Sequence, residues 1–268
     1  MTGATEVAKY FALRIEPILT QIYDRATSEL LLEKLFSLLQ KDLGDVSSRQ
    51  ENKWNDLSKW DQSDILLITY GDTLCRSTGE KPLATLQTFL AENLQDVISG
   101  VHILPFFPYS SDDGFSVIDY LEVNPELGTW QDIQAIGQKF DLMFDLVINH
   151  VSSQSAWFKQ FKEGVKPGCD YFIEVDPTTD LSNVVRPRSS PLLAKVDNVN
   201  GEKYVWATFS HDQIDLNFAN PDVLLEFVKI ILFYVEQGAK YIRLDAVGYL
   251  WKQLDTRCIH LPETHAAI

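Results

Sequence analysis

The sequence predicts a parallel α/β fold of the barrel type, in which buried strands carry polar side chains at their C-terminal ends. Apolar strand-like runs alternate with helix-like segments along most of the chain, a pattern typical of parallel sheets. Ionisable or amide residues end two of these runs, which are DLVINH at 145–150 and YIRLDA at 241–246. Barrel enzymes share this layout, because their packed strands form the core and the strand tips hold the catalytic groups.

The first part of the chain has a helical pattern. Residues 5–42 have apolar side chains at helix-like spacing, and Pro17 is placed to start or kink a helical segment. The alternation of strand and helix begins only after about residue 62. We therefore predict an N-terminal helical extension at 1–61 and an α/β body at 62–268.

The body contains strand-like runs separated by helices. The predicted strands are 65–70, 101–104, 142–148 and 241–244, and the predicted helices are 83–93, 129–139 and 221–237. Thr129 is a candidate N-cap. The region at about 151–220 has no clear period, and long loops inserted at the top face of a barrel are usually functional. Since an eight-stranded barrel needs further β/α units, the chain is either half a barrel or closes in another way.

Composition and charge narrow the class of partner. Apolar residues make up 45% of the sequence and charged residues 23%, as in ordinary globular proteins. The net charge of -15 disfavours nucleic acid and anionic membranes as partners. A neutral substrate such as a sugar fits this charge, whereas an anionic substrate would need a local cationic pocket.

The sequence also suggests a compartment. Three widely spaced cysteines form no metal-like pair, so reduced thiols are expected. No apolar run approaches the ~20 residues of a membrane span, and the N-terminus has no signal-peptide pattern. We therefore expect a soluble, cytoplasmic protein without cofactor or metal, in which His102, His211, His260 and His265 are ordinary structural histidines.

Arg243 and Asp245 lie two positions apart in a predicted strand, so their side chains share one face. The guanidinium can hold the carboxylate ionised and oriented, which suits a nucleophile. A purely structural ion pair is the alternative interpretation of the same spacing.

Four motifs together resemble those of the α-amylase family of glycoside hydrolases and transglycosylases. They are DDGF at 112–115 after LPFFP, DLVINH at 145–150, WATF at 206–209 with QIDLN at 213–217, and GAKYIRLDA at 238–246. The resemblance covers residue 66 to the end. It is strongest to the branch that includes sucrose phosphorylase, sucrose 6-phosphate phosphorylase and glucosylglycerate phosphorylase. It implies a (β/α)8 TIM barrel, here truncated after about the fourth strand, behind an N-terminal helical extension.

The resemblance implies roles for the residues at the two strand tips. Asp245 would be the nucleophile that forms a covalent glycosyl-enzyme, and Arg243 would orient it. His150 would bind a hydroxyl of the reacting sugar, while Asp145 and Asn149 would support the end of the third strand. For these last three residues, a buried strand with a polar cap is the competing interpretation.

Two loop segments are similarly assigned to substrate binding by resemblance. Asp112 would bind sugar hydroxyls and Phe115 would provide an aromatic platform, although an ordinary acidic turn explains the same residues. Phe209 would close over the bound glucosyl unit, although it could instead belong to a small separate core.

Arg186 and Arg188 flank a proline in the long inserted region. Their planar guanidinium groups suit phosphate or carboxylate, and the resemblance makes them a candidate phosphate or acceptor site. A loop held by surface ion pairs is the equally weighted alternative.

The resemblance also implies what the chain lacks. The family's general acid/base is a Glu at the tip of a fifth strand, and Glu263 follows Asp245 too closely to fill that role. We therefore expect an N-terminal fragment that is inactive alone, from an enzyme that converts a sucrose-like or glucosylglycerate-like α-glucoside and inorganic phosphate into glucose 1-phosphate. An α-glucoside hydrolase and a catalytically silent amylase-like module remain the alternatives.

Overall fold

Four parallel strands form the central sheet of the computed structural model, which describes residues 2–50, 61–76 and 79–268. In chain order the strands are β1 Leu66–Thr69, β2 Gly100–Ile103, β3 Asp141–Val147, β4 His150–Ser152, β5 Leu193–Asn198, β6 Gly201–Trp206, β7 Gln213–Asp215 and β8 Ala239–Asp245. The helices are α1 Thr2–Ile22, α2 Arg25–Gln50, α3 Pro82–Asn93, α4 Trp130–Gly137, α5 Ala156–Glu163, α6 Pro221–Glu236 and α7 Pro262–Ala267.

The central sheet has the order β1-β2-β3-β8, with every neighbouring pair parallel. Its strands are the four that the sequence predicts. Helix α3 connects β1 to β2, helix α4 connects β2 to β3, and α6 precedes β8. In the register of β3 and β8, Asp145 pairs with Arg243 and Val147 with Asp245, so both polar strand ends lie at the same edge.

An aromatic cluster joins the sheet to helices α4 and α6. Phe144 of β3 packs edge-on against Tyr234 of α6, with ring centroids 5.7 Å apart, and Trp130 of α4 lies 6.1 Å from Phe144. Thr129 caps α4 in a capping box with Asp132, as the predicted N-cap requires. Burial of these large rings fixes the helices against the strands that carry the polar tips.

The N-terminal helices pack on the outside of α6 through Leu19, Leu31, Leu35 and Leu225. Pro17 lies within α1, and the break between α1 and α2 falls instead at Tyr23 and Asp24. There the Asp24 carboxylate accepts a hydrogen bond from the Thr27 backbone, and the Tyr23 hydroxyl donates to the Phe218 carbonyl at 2.8 Å. The boundary of the extension at residue 61 stays a prediction, because residues 51–60 lie outside the described residues.

The region at 151–220 contains more regular structure than its sequence pattern indicates. Strand β4 follows β3 after two residues and pairs antiparallel with β7, and β5 and β6 form a hairpin that turns at Val199 and Asn200. Three-residue strands such as β4 and β7 are too short to show alternation. The Asn-Gly pair at the turn, with Gly201 at φ 105°, was the available signal for the hairpin.

The described residues also bear on membrane spans, metal sites and disulfides. None of the described helices combines the length and the apolar character needed to cross a bilayer. Within the described ranges, no three His, Cys, Asp or Glu side chains are grouped so that they could hold a metal ion. Cys75, Cys169 and Cys258 are all free thiols.

Candidate active site

The candidate site lies where β3 and β8 end. Asp245 is the last residue of β8, and His150 follows β3 after a two-residue connection. Ala246 has a φ of 57°, so the chain enters the left-handed region immediately after Asp245. Such a conformation is uncommon for a residue with a side chain, and it turns the backbone sharply away from the sheet. The Asp245 side chain, 20% exposed, is therefore left at the strand tip.

Arg243 bridges two carboxylates. Its Nη1 forms an ion pair with Asp145, and its Nη2 lies 3.1 Å from Asp245 Oδ1. Asp145 is completely buried, and His102 Nε2 lies 2.6 Å from its other oxygen. The structure thus brings Arg243, Asp145 and Asp245 together as the sequence suggests. It adds His102, whose contact with Asp145 the sequence pattern did not indicate.

The electrostatic environment of Asp245 contains opposing effects. Burial raises the pKa of its carboxyl group, Arg243 and His150 lower it, and Asp145 raises it again, with a net upward shift. Because Arg243 and His150 do not fully offset the effect of burial, the Asp245 carboxylate is more basic than a carboxylate in water. This property suits a group that must attack a carbon centre.

His150 is buried in the floor of the site. Its Nε2 lies 3.0 Å from the Phe115 carbonyl oxygen, and its ring lies 5.0 Å from the Phe209 ring, centroid to centroid. Burial lowers the pKa of His150. A neutral imidazole can exchange its hydrogen bond to a carbonyl for one to a ligand hydroxyl.

Asp112 and Phe115 lie in the loop after β2, close to β7. Gln213 Nε2 donates to Asp112 Oδ2 at 2.9 Å, and the Arg243 guanidinium lies 6.0 Å from the Phe115 ring centroid. Asp112 is exposed and has a φ of 57°. The two predicted binding residues therefore face the same region as Arg243 and His150, with Gln213 as the link.

Asp212 ties this loop to the neighbouring strands. Its carboxylate accepts hydrogen bonds from the hydroxyl groups of Ser110, Ser111, Ser116 and Ser153, at 2.5 to 3.0 Å. Partial burial would raise the pKa of Asp212, but these serine donors outweigh it and lower the pKa. The cluster fixes the loop that carries Asp112, and no spacing rule in the sequence indicated it.

A second carboxylate, that of Asp215, binds groups from two segments that meet near the tip of β3. Its oxygens accept from the Thr208 backbone at 2.8 Å and from Asn149 Nδ2 at 3.0 Å. Lys252 Nζ lies 2.7 Å from Asp215 and 2.8 Å from Asn149 Oδ1. Asn149 thus lies between Asp215 and Lys252, and its supporting role stays a prediction. The sequence patterns gave no indication of Lys252.

The two arginines of the inserted region differ in their surroundings. Arg188 is exposed and lines an open cleft of about 780 Å³, together with Asp112, Phe209 and Gln213. Arg186 is half-buried and donates to Ser190 at 3.2 Å. Its Nε is buried with no hydrogen-bond partner among the residues that the structure describes, and burial lowers its pKa. Of the two arginines, Arg188 is the one that lines this cleft.

Comparison with known proteins identifies the family. The sequence model of the family described as the α-amylase catalytic domain matches residues 93–267. The chain is 52% identical to a glucosylglycerate phosphorylase of Spirochaeta thermophila and 46% identical to one of Escherichia coli, covering 95% of this chain in both cases. It is 37% identical to a sucrose 6(F)-phosphate phosphorylase of Thermoanaerobacterium thermosaccharolyticum, over 75% of this chain.

The solved structures agree with this assignment. A crystal structure of sucrose 6F-phosphate phosphorylase from Thermoanaerobacter thermosaccharolyticum superposes with a TM-score of 0.70 at 34% identity, covering 78% of this chain and 45% of that one. The chain likewise spans only 43 to 44% of the length of the curated relatives named above. These matches and the parallel sheet confirm the predicted TIM-barrel class. The chain belongs to the α-amylase family and carries part of its catalytic domain.

Proposed function

We propose that the protein carrying this chain transfers an α-glucosyl unit to phosphate with retention, through a covalent intermediate on Asp245. The observation that carries the proposal is the placement of Asp245 at the end of β8, oriented by Arg243 and next to His150. The relatives at 46 and 52% identity are named as phosphorylases, which favours phosphate over water as the second reactant.

The reaction would proceed in two displacements. An Asp245 oxygen attacks the anomeric carbon while the glycosidic bond breaks, and the departing oxygen takes a proton from a general acid. A phosphate oxygen then attacks the same carbon from the vacated side. The bond to Asp245 breaks, the carboxylate is restored, and the acid recovers its proton from phosphate.

The proton donor requires a second carboxyl group about 5 Å from the nucleophile. Asp145 cannot serve, because it is completely buried and already bound by His102 and Arg243. Glu263 lies in the first turn of α7, and one of its oxygens is buried without a hydrogen-bond partner among the described residues. Because the curated relatives are more than twice as long as this chain, we propose that a carboxylic acid from the rest of such a longer protein supplies the proton.

The glucosyl unit would occupy the space above His150. His150 Nε2 would exchange its bond to the Phe115 carbonyl for a sugar hydroxyl, and the exposed Asp112 carboxylate would accept from further hydroxyls. Phe209, which packs against both His150 and Tyr249, would cover the sugar and exclude water. Exclusion of water favours phosphorolysis over hydrolysis.

Two observations guide the choice of donor. The glucosylglycerate phosphorylases of Spirochaeta thermophila and Escherichia coli are 52 and 46% identical to this chain, whereas the sucrose 6(F)-phosphate phosphorylase is 37% identical. Arg188 also offers an exposed cation at the cleft, which could pair with phosphate or with the carboxylate of glycerate. We therefore place glucosylglycerate first and sucrose-like donors second.

The proposal is tested by release of α-glucose 1-phosphate from glucosylglycerate, sucrose and sucrose 6-phosphate, with and without phosphate. The assay compares the 268-residue chain with a longer protein in which four further β/α units follow residue 268. Phosphate-dependent release by the longer protein is expected. Release of free glucose regardless of phosphate would instead identify a hydrolase, and no turnover of any α-glucoside would identify a silent module.

Replacing Arg243 by Gln is expected to move the acid limb of the pH profile of kcat/KM to higher pH. Arg243 lowers the pKa of Asp245, so its removal raises that pKa further, and the nucleophile becomes protonated at a higher pH. The profile is measured for the Arg243→Gln variant and for Lys240→Gln, a cation on the same strand that pairs with Asp141. An acid limb that stays in place in Arg243→Gln would contradict this role.

Replacing Arg188 by Gln is expected to raise the KM for phosphate about tenfold, equivalent to ~1.4 kcal/mol of lost binding. The fixed guanidinium fork pairs with phosphate oxygens in a way that a neutral amide cannot match. Initial rates at varied phosphate are compared with those of Arg25→Gln, whose exposed guanidinium pairs with Glu29 in helix α2. Equal phosphate KM values in the two variants would remove Arg188 from the acceptor site.

A further inference from the structure

A buried ammonium group beneath the candidate site has no role in the reaction described above. The side chain of Lys252 is 3% exposed, and its Nζ lies 2.7 Å from Asp215 and 2.8 Å from Asn149 Oδ1. Burying a charge is costly unless several partners compensate it, so a lysine in this position needs a physical reason. Its two contacts define the orientation of the Asn149 side chain.

The amide orientation of Asn149 follows from the chemistry of its neighbours. An ammonium group can only donate, so the atom facing Lys252 must be the carbonyl oxygen. An ionised carboxylate can only accept, so the atom 3.0 Å from Asp215 must be the amide nitrogen. Two charged neighbours of opposite sign therefore remove the ambiguity that normally affects an asparagine side chain.

The orientation of Asn149 and the Phe115 carbonyl together indicate which nitrogen of His150 carries the proton. Asn149 Nδ2 also lies 3.3 Å from His150 Nδ1, and because that nitrogen is a donor, Nδ1 must be the acceptor. In a neutral ring the proton is then on Nε2, which faces the Phe115 carbonyl at 3.0 Å. Gln213 Nε2 lies 3.2 Å from the same ring nitrogen, but its hydrogens have acceptors in Asp112 Oδ2 and the Phe115 carbonyl.

Charges facing the ring come from three directions. Asp215 on β7 and Asp245 on β8 favour a protonated imidazole, while Lys252 on the segment after β8 opposes it. Burial of His150 acts in the same direction as Lys252 and lowers the pKa further. Without the lysine, two carboxylates would act on the ring with only burial against them.

We propose that Lys252 is a positioning residue that, through Asn149, holds His150 as the neutral tautomer with its proton on Nε2. This presents a hydrogen-bond donor to the space bounded by Phe115 and Asp112, where an acceptor oxygen of a bound hydroxyl would lie. The tautomer follows from contacts within the chain alone. Only its use on a sugar rests on the proposed function.

The test is NMR of the full 268-residue chain labelled with ¹⁵N-histidine, where ring nitrogen shifts report the tautomer and its titration. The His150 signals are assigned by their loss in His150→Gln. A single Nε2–H form is expected in the unsubstituted chain. In Lys252→Met a mixture of tautomers is expected, with the His150 pKa raised, while Lys240→Met, which breaks an ion pair with Asp141 elsewhere on the sheet, changes neither.

A second variant guards against simple unfolding of Lys252→Met, which leaves Asp215 buried and unpaired. In Lys252→Met/Asp215→Asn both charges are removed. The Thr208 backbone N–H holds the oxygen of the new side chain, so its amide NH2 faces Asn149 and turns the Asn149 oxygen towards His150 Nδ1. A shift towards the Nδ1–H form in this variant supports the proposal. A single Nε2–H form in a folded Lys252 variant, or an Nδ1–H form in the unsubstituted chain, would overturn it.

The measurement needs no substrate, so it separates this proposal from the proposed function. If the variants lose the single tautomer while the longer protein shows no phosphorolysis, the positioning role of Lys252 is supported and the proposed reaction is rejected. If the longer protein shows phosphorolysis while the variants keep the single tautomer, the proposed reaction is supported and the positioning role of Lys252 is rejected.

Discussion

Replacement of Asp245 by Asn is expected to abolish phosphorolysis by the longer protein, with a loss in kcat on the order of 10⁴-fold or more. The amide has nearly the same shape as the carboxylate and can still accept from Arg243. It lacks the negative charge and the nucleophilicity needed to form a bond to the anomeric carbon. The effect should therefore fall on kcat, with little change in the KM for the donor.

The control for this prediction lies in the segment that follows the same strand. Asp255 is exposed and has a φ of 64°, a conformation that Asn tolerates well, so Asp255→Asn should leave turnover within about twofold. Intact-mass measurement after acid quench should show a glucosylated protein in the unsubstituted enzyme and none in Asp245→Asn. Retention of even a hundredth of the kcat in Asp245→Asn would place the nucleophile elsewhere.

The central strands were predictable because each is a short apolar run bounded by turn residues. Strand β2 and most of β3 are buried on both faces, and β1 and β8 keep an apolar run although several of their side chains are exposed. Their alternation with helices predicted that they run parallel, but it did not predict their order in the sheet. Antiparallel strands β4 and β7 were not predictable. They consist of three residues each, and they pair only because β3 ends where the segment before Phe218 returns to it.

Some residues of the candidate site could likewise be predicted from the sequence, and others could not. Asp245, Arg243 and His150 stand in or next to strands with recognisable motifs, so their proximity could be anticipated from the register of parallel strands. Lys252 and Asn149 are 103 residues apart, and Asp212 lies about as far from the serines at 110 and 111. Contacts of this range depend on how loops fold back, which periodicity does not encode.

Asp145 joins His102 and Arg243 in a buried network behind Asp245, the proposed nucleophile. Asp145→Ala is expected to lower the free energy of unfolding by about 3–5 kcal/mol, because it leaves the buried His102 ring and one side of Arg243 without their partner. Asp141→Ala on the same strand breaks the pair with Lys240, in which both side chains are substantially exposed. That change should cost about 0–1 kcal/mol.

Urea denaturation of the two variants makes the comparison direct, because similar m-values would show that both unfold from equally compact states. Asp145→Asn should fall between them, since it keeps the volume and an acceptor oxygen but loses the charge that faces Arg243. If Asp145→Ala cost no more than Asp141→Ala, the network would not stabilise the strand tip. Arg243 would then have to orient Asp245 without Asp145 as its fixed anchor, and the buried carboxylate would owe its place to β3 packing alone.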